Sequence, residues 1–436
     1  MNVALLDITS GRKACINKDF MGGYGWAFNA GRGLSSGMIN FVKKSGENLP
    51  IMSLGYLASI FHQKKWDVEY ARNTVPSSKL VIIHSSMVEH KAELEWAGRL
   101  KKAGKIVGFT GPFSGSVPEI FLEKCDFVIV GEPEEAVYRI SEGLIPKGVL
   151  DSRPIEDLNS LPFPKWDIFP HKGYSYFPAL REKPFLPILS SRGCPFTCNY
   201  CPYLVHYKWR VRSAENVLDE IGHLVSRFGI KSMLFRDPIF TFDRERTSKI
   251  AESILERGYK IKWACETRLD RVDKGLLKLM YSAGLRVINV GIESQSEDII
   301  KKASRKPVSL RHQEEMIRYC DEIGIRVTVF YMFGMPDDTR ESLLETIRYA
   351  KKLNTHVAQF FIFTPFPGTK YYETIKSDIY ETDWEKFDCY TPVFYHKNLG
   401  KEKIIQLKER AFVSYYYRPA WVIKFFFRAM RDIFNK

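Results

Sequence analysis

The sequence predicts an α/β protein in which a doubly wound parallel sheet is followed by a partial barrel of β/α units and a small helical tail. Two stretches of alternation, and the break between them, predict it. Over residues 1–140 short apolar runs alternate with segments whose apolar residues recur at three- and four-residue steps, and from Leu186 the alternation resumes. Between them, residues 141–190 carry eight prolines, enough to interrupt regular elements. At 436 residues the chain is too long for one ordinary core and long enough for two. The expected division is 1–140, a proline-rich linker over 141–185, a barrel over 186–375 and a helical, basic and aromatic region over 376–436.

In the first part VALLDI (3–8), WDVEYA (66–71), LVIIHS (80–85), KIVGFT (105–110) and DFVIVG (126–131) read as strands, with MSLGYLASIFHQ and KAELEWAGRLKKAG among the helices between them. Ligands of such sheets sit beyond the carboxyl ends of the strands, which makes the loops after Ile8, His84 and Thr110 the candidate surface. In the second part LPILSS, KSMLFR, IKWACE, LRVINVGIE, IRVTVFYMFG and HVAQFFIF are six strands, with helices near 214–228, 243–257 and 339–353 among those that join them. Barrels of this kind carry their chemistry at the strands' C-terminal ends.

Composition narrows the class. Eight cysteines, three clustered and five scattered (Cys15, Cys125, Cys265, Cys320, Cys389), suit a reducing cytoplasm rather than a secreted disulfide framework. The opening MNVALLDITSG reads as a buried strand and not as a signal peptide, and no apolar window is long enough for a membrane span. The net charge is +14, and residues 397–436 alone hold ten Lys or Arg against three acids. A basic surface fits nucleic acid, anionic lipid or simple solubility. No P-loop is present, and no G-x-G-x-x-G enters a helix directly after the first strand, so a dinucleotide fold is not expected.

The segment SRGCPFTCNYCPY follows the first barrel strand and spaces Cys194, Cys198 and Cys201 as C-x3-C-x2-C. Thiolates this close bind zinc or an iron-sulfur cluster. Zinc would require a fourth ligand such as His206, whereas a 4Fe-4S cluster held by three cysteines leaves one iron open to a substrate or cofactor. The run Gly193-Cys194-x3-Cys198-x-Tyr200-Cys201 resembles the signature of radical S-adenosylmethionine (SAM) enzymes. The resemblance implies that SAM binds the open iron through its amino and carboxylate groups and is cleaved reductively to methionine and a 5′-deoxyadenosyl radical. It places Tyr200 against the adenine. Later segments match in order: FRDPIF with Asp237 near the SAM amino group, WACETRLD with Glu266 and Arg268 near ribose or carboxylate, VGIESQS with Glu293 and Ser294, and YMFGMPDDT with Gly334. Read without the family, Arg268 with Asp270 is also a plain surface pair, and GMPDDT a good helix-capping turn.

The first half resembles the cobalamin-binding radical SAM proteins. LPIMSLGYLASIFHQKKWDVEYA, HSSMVEH, FTGPFSGSVPE, DFVIVGEPEEA and the linker RPIEDLNSLPFPKWDIFP carry that likeness. It implies a Rossmann-like, flavodoxin-like cobalamin-binding domain ahead of a radical SAM (β/α)6 partial barrel. Ser85, Ser86, Thr110, Gly111 and Pro112 at strand ends are the expected floor for the flat macrocycle. The stretch MGGYGWAFNAGRGLSSG (21–37) is either a fold over the cofactor or its substrate, or loop filler. The chain departs from many cobalamin proteins in lacking the D-x-H-x-x-G motif, and Thr110 stands where a first glycine is usual; His84 and His90 near that face read as structural.

The implied activity is methylation of an unactivated carbon or phosphorus centre, with cofactors 4Fe-4S cluster, SAM and cobalamin. Cyclisation or oxidation without methyl transfer, on a lipid or tetrapyrrole, is the alternative; a non-catalytic cobalamin sensor would need neither the cysteines nor the barrel. Expected partners are a small-molecule or lipid substrate and a reducing protein such as flavodoxin or ferredoxin, with no nucleic acid. The tail RAFVSYYYRPAWVIKFFFRAMRDIFNK predicts a helix from Pro419 with bulky Trp421, Phe425, Phe426 and Phe427 and basic Lys424, Arg428, Arg431 and Lys436. It either packs on the barrel as a lid or lies in a membrane interface, peripheral at the inner face.

Overall fold

A computed structural model describes residues 1–11 and 14–434; Lys436 and the side chains of His206, Arg428 and Arg431 lie outside what is described. The first sheet has six parallel strands in the spatial order Asp67–Arg72, Asn2–Asp7, Leu80–His84, Ile106–Thr110, Phe127–Val130 and Gly148–Asp151. Leu80 to Ile83 and Phe127 to Ile129 are fully buried, as expected of parallel strands covered on both faces. The order of the strands reverses between Asn2–Asp7 and Leu80–His84, which makes the crevice above Asp7 and His84 the topological switch point. Gly148–Asp151 comes from the segment expected to be linker. Its four residues, alternating between half-buried and exposed, form an edge strand too short to show a period in sequence.

The second sheet is also all parallel and runs in chain order: Phe185–Ile188, Ser232–Phe235, Lys262–Thr267, Leu285–Glu293, Arg326–Phe333 and Val357–Ile362. This is the six-stranded partial barrel that the alternation predicts. Its helices start on local caps. Ser213 accepts from Asn216 N, Asp243 from Arg246 N, Asp273 from Leu276 N, and Thr339 and Ser342 form a capping box. Each cap is worth about 1 kcal/mol and fixes where the chain turns back after a strand, which keeps the strand ends in register around one mouth.

The glycine-rich stretch is built rather than loose. Cys15–Asn17 and Trp26–Phe28 pair as a small antiparallel hairpin, and Leu34–Gly46 is a helix. Gly22, Gly23 and Gly25 have φ of 62°, 91° and 87°, which keeps the turn between the strands tight. A Cβ on Gly23 would stand 2.8 Å from Pro112 Cγ, and one on Gly22 would stand 3.3 Å from the Pro202 carbonyl carbon. The turn is therefore pressed between the end of the first sheet and the cysteine loop.

The tail is a helix, Pro419–Phe434. Trp421 Nε1 donates to the His356 carbonyl at 3.2 Å, Phe425 stacks on the His356 ring, and Lys424 Nζ reaches the Asn354 carbonyl at 2.7 Å. His356 and Asn354 stand just before the strand Val357–Ile362, at the end of the barrel opposite the cysteine loop. The helix is not a lid over the site, because its inward aromatics find their partners at the strands' N-terminal ends.

Candidate active site

Cys194, Cys198 and Cys201 lie on the excursion of a short hairpin whose base pairs Ser191 with Val211 and Arg192 with Arg210. Gly193 opens the excursion with φ 74°, and a Cβ there would meet the Lys208 backbone at 2.6 Å. Only glycine lets the two arms close at that point. All three cysteines face one cavity of about 190 Å³, which is also lined by Phe20, Trp26, Tyr200, Glu266, Arg268 and Glu293. Burial raises the Cys194 and Cys201 thiols above their ordinary range, so they give up their protons only to a strong positive partner such as bound iron.

The donor set fits a 4Fe-4S cluster, which takes one thiolate at each of three irons and does not need the sulfurs to converge on one point. Among the described residues, no group of three or more His, Cys, Asp or Glu side chains is arranged to hold a single metal ion.

The walls of this cavity carry a ring of ionisable groups. Arg268 is buried; its Nε and Nη2 donate to Asp270 at 2.9 and 3.1 Å, its guanidinium lies over Phe196, and its Nη1 has no partner. Asp270 thus fixes the fork while Nη1 remains without a partner, its N–H groups available to an anionic ligand. Glu266 accepts from Arg236 Nη1 at 2.7 Å, and burial, set against that guanidinium, leaves its carboxyl raised. Glu293 adopts a positive φ of 66° at the end of its strand and lies 3.5 Å from Arg305. Arg305 donates to the Gly291 carbonyl at 2.7 Å and hydrogen-bonds the Cys198 sulfur. Sequence reasoning missed Arg305, since nothing local marks it.

Asp237, Ser294 and Gly334 do not line the cavity. Asp237 is buried and accepts from Ser190 N, Ser190 Oγ and Ser191 Oγ at 2.8, 2.6 and 2.5 Å. Its carboxylate ties the strand end that carries the cysteine loop, and the next residues, Pro238 and Ile239, line the cavity instead. Ser294 lines a smaller adjoining space together with Arg305. Gly334 and Met335 donate their N–H groups to Asp338, and the turn packs on Ile404. Tyr200 presents its ring to the cavity and meets Phe363 edge-on at 5.7 Å.

Residues 188–350 match the radical SAM superfamily. The chain is 31% identical over 339 residues to an uncharacterized methyltransferase of Pyrococcus horikoshii, covering 72% of this chain and 73% of that protein. It is 25% identical over 371 residues to the bacteriochlorophyllide d C-12(1)-methyltransferase of Chlorobaculum tepidum, covering 82% and 80%. Its fold matches that of the radical SAM methyltransferase TsrM from Kitasatospora setae, solved with cobalamin and a 4Fe-4S cluster, with TM-score 0.62 and 16% identity over 86% of this chain and 78% of that one. The chain is a radical SAM enzyme.

In this radical SAM enzyme a second cavity, about 80 Å³, opens where the first sheet meets the cysteine loop. Ser53, Tyr56 and His84 line it from the first domain, Gly193, Tyr203 and Tyr207 from the cysteine loop, and Asp19, Gly22 and Gly23 from the glycine turn. Phe20, Met21 and Trp26 of the same turn line the first cavity, so this segment is the partition between the two. Arg236 holds the partition, donating to the Asp19 carbonyl at 2.9 Å with its guanidinium over the Phe20 ring at 4.3 Å.

None of the expected floor residues, Ser85, Ser86, Thr110, Gly111 and Pro112, lines this second cavity; they stand next to two residues that do, His84 and Gly23. Ser85 N donates to the Thr110 carbonyl, and Ser85 Oγ accepts from Ser114 N. Ser86 is held by Glu93, which in turn pairs with buried Lys18 at 2.7 Å. Gly111 has φ 116° and lies against Ser85 O and the His84 ring, and Pro112 supports Gly23. Two buried polar atoms at this edge, Thr110 Oγ1 and His84 Nε2, have no partner. Unpartnered polar atoms and glycines where a Cβ would intrude are the kind of surface that would suit the polar rim of cobalamin.

The first sheet and the cysteine hairpin are joined by buried charge. Glu132, in the loop after Phe127–Val130, accepts from Arg192 at 2.7 Å and from Arg210, and Glu134 accepts from Arg192 at 2.6 Å. The Arg192 guanidinium lies over the Tyr56 ring at 5.0 Å. One carboxylate therefore bridges both arms of the hairpin that carries the cluster cysteines.

Proposed function

We propose that the enzyme is a cobalamin-dependent radical SAM methyltransferase acting on an unactivated carbon or phosphorus centre. One observation carries this reading: the loop that presents the three cysteines to one cavity also lines the second, strand-end cavity, with a single glycine turn between them. Bound at these places, a 4Fe-4S cluster with SAM supplies a carbon-centred radical and methylcobalamin supplies the methyl group. The chain's own residues do the rest. Cys194, Cys198 and Cys201 would hold the cluster, and Arg268 would offer its unpartnered Nη1 to the ribose or carboxylate of SAM while Asp270 keeps the fork oriented. Tyr200 lies along the adenine, and Phe20, Trp26, Phe330 and Phe361 give the cavity an apolar wall that keeps water from a reactive intermediate.

The relatives whose printed names are methyltransferases favour methylation over cyclisation or oxidation. The test is anaerobic reconstitution with the cluster, cobalamin, SAM and a low-potential reductant. Methylation yields S-adenosylhomocysteine together with 5′-deoxyadenosine; 5′-deoxyadenosine alone means cyclisation or oxidation, and intact SAM overturns the reading. The electron donor is a small reducing protein of the flavodoxin or ferredoxin kind, for which a net charge of +14 provides attraction to an acidic surface.

The substrate is a small molecule or lipid, and the cytoplasmic enzyme meets the membrane's inner face. The helix Leu34–Gly46 exposes Leu34 (98%), Met38, Phe41 (72%) and Val42, contains no acid and carries Lys43 and Lys44. The tail helix exposes Val422, Ile423, Phe426 and Phe427 (67%), and Tyr417 just before it donates to the Ser35 carbonyl of the first helix. Two apolar faces with basic neighbours suit an anionic lipid surface. Among the described residues no helix is long and apolar enough to cross a membrane. Flotation with anionic vesicles is expected for the full chain and lost on truncation after Tyr417; equal flotation of both removes the tail from the contact.

A further inference from the structure

We propose that the basic segment KKASRK (301–306), together with Lys370, is the docking surface for the protein that reduces the cluster, a small acidic one-electron carrier. The proposal rests on the electron-donor reading above and deepens it by naming where that donor binds. Four of the segment's six residues are basic and none is acidic, and Lys301, Lys302 and Lys306 are exposed. The tail helix is basic as well, but it packs at the far end of the barrel. Attraction there would not bring a carrier to the cysteines.

Hydrogen bonds fasten this segment to the cysteine loop. Asn199, which follows Cys198, donates its backbone N–H to the Ala303 carbonyl at 3.2 Å and its Nδ2–H to the Lys302 carbonyl at 3.4 Å. The Asn199 carbonyl accepts from Tyr371 N at 3.0 Å, which sets exposed Lys370 beside the same residue. Thr197, on the other side of Cys198, is exposed too. After the helix Glu297–Lys302, Ser304 takes a φ of 55° and the chain turns. Arg305 then points inward: it lines the cavity that the cysteines face, and its Nη2 donates to the Gly291 carbonyl at 2.7 Å. The segment thus shows lysines to solvent and an arginine to the cluster cavity.

Electron tunnelling falls off steeply with distance, so a carrier works only where little protein separates its redox centre from the cluster. Here the two Asn199 hydrogen bonds and the Cys198–Asn199 peptide link the lysine segment to a cluster ligand. The step moves one electron and no atom: the carrier is oxidised by one electron and the cluster is reduced from its 2+ to its 1+ state. Such a partner must leave after each delivery. Charge serves this better than a tight apolar fit, because it steers encounter and raises the association rate. Electron-transfer encounters accordingly bury less than about 1,200 Å². Lys301 lies 3.5 Å from Glu297 and Lys302 lies 3.1 Å from Asp337. These pairs stand at the surface, where ion pairs are weak, and they yield readily to a carrier's carboxylates.

The test follows the loss of the reconstituted cluster's visible absorbance during reduction by flavodoxin hydroquinone and, separately, by dithionite, a small reductant that needs no docking surface. In the variant combining Lys302→Glu, Lys306→Glu and Lys370→Glu, the second-order rate with flavodoxin is expected to fall by at least about tenfold. It should also lose the decline with added salt that the wild type shows. The dithionite rate should stay near the wild-type value. Equal flavodoxin rates in variant and wild type overturn the proposal and leave the donor reading intact. A wild-type cluster that dithionite reduces and neither flavodoxin nor ferredoxin reduces overturns both. Carbodiimide cross-linking of the wild-type chain to flavodoxin decides the matter even if the variant does not fold. Cross-links are expected at Lys301, Lys302, Lys306 or Lys370, and cross-links confined to other lysines overturn the proposal.

Discussion

Arg192 and Glu132 form a buried ion pair at 2.7 Å that ties the loop after a strand of the first sheet to the cysteine hairpin, two residues before the first cluster cysteine. Both side chains are at least nine-tenths buried, and the same carboxylate holds Arg210 on the other arm of the hairpin. A pair like this adds little net stability over an apolar substitute, but losing one partner leaves a buried charge uncompensated. Its value lies in placement: the first domain fixes the base of the loop on which the cluster is carried.

Glu132→Gln is therefore expected to destabilise the folded chain by about 3–5 kcal/mol. It should also make the reconstituted cluster more labile to a chelator. Urea unfolding and the decay of the cluster's visible absorbance measure the two effects. A variant with an unchanged midpoint and unchanged chelation rate would show that the bridge does not position the loop.

Arg268→Lys should weaken SAM binding without loss of fold. Lysine cannot hold Asp270 with two parallel bonds and present a third donor at the same time. A hydrogen bond to a charged group is worth about 1.5–3 kcal/mol, which corresponds to roughly 10- to 100-fold in affinity. Equilibrium dialysis of SAM on cluster-loaded protein reads the change, and wild-type affinity in the variant would remove Arg268 from the site.

Cobalamin is larger than the 80 Å³ that the second cavity offers, so if it binds there the glycine turn is expected to be displaced. Hydrogen exchange should change on cobalamin binding in peptides covering residues 19–25 and 200–207. The barrel helices should keep their protection. Binding with no change in the turn would refute the partition as the gate.

Asp338 supplies a pH signature. Burial raises its carboxyl to about 7 even though Gly334 N, Met335 N and Ser342 Oγ donate to it. The folded chain then holds a proton that the unfolded chain has lost, so this group's contribution to stability falls as pH rises from about 4 to 7, by up to about 1.4 kcal/mol per unit. Asp338→Asn should flatten that part of the pH–stability curve relative to wild type. Parallel curves for the two proteins over that window would contradict the assignment.

The sequence by itself determined the alternation of strands and helices, the two-part architecture and the cysteine triad, because period, breakers and ligand spacing are local properties of the chain. Tyr200, Glu266, Arg268 and Glu293 were singled out through the resemblance to a family motif, and the structure brings all four to the cavity that the cysteines face. Tertiary structure alone decided the rest. Arg305 reaches Cys198 from a distant segment, Glu132 bridges Arg192 and Arg210 across a domain boundary, and Asp237 ties down the strand end behind the cavity. No pattern in sequence encodes which buried cation meets which carboxylate, since that follows from how two sheets pack.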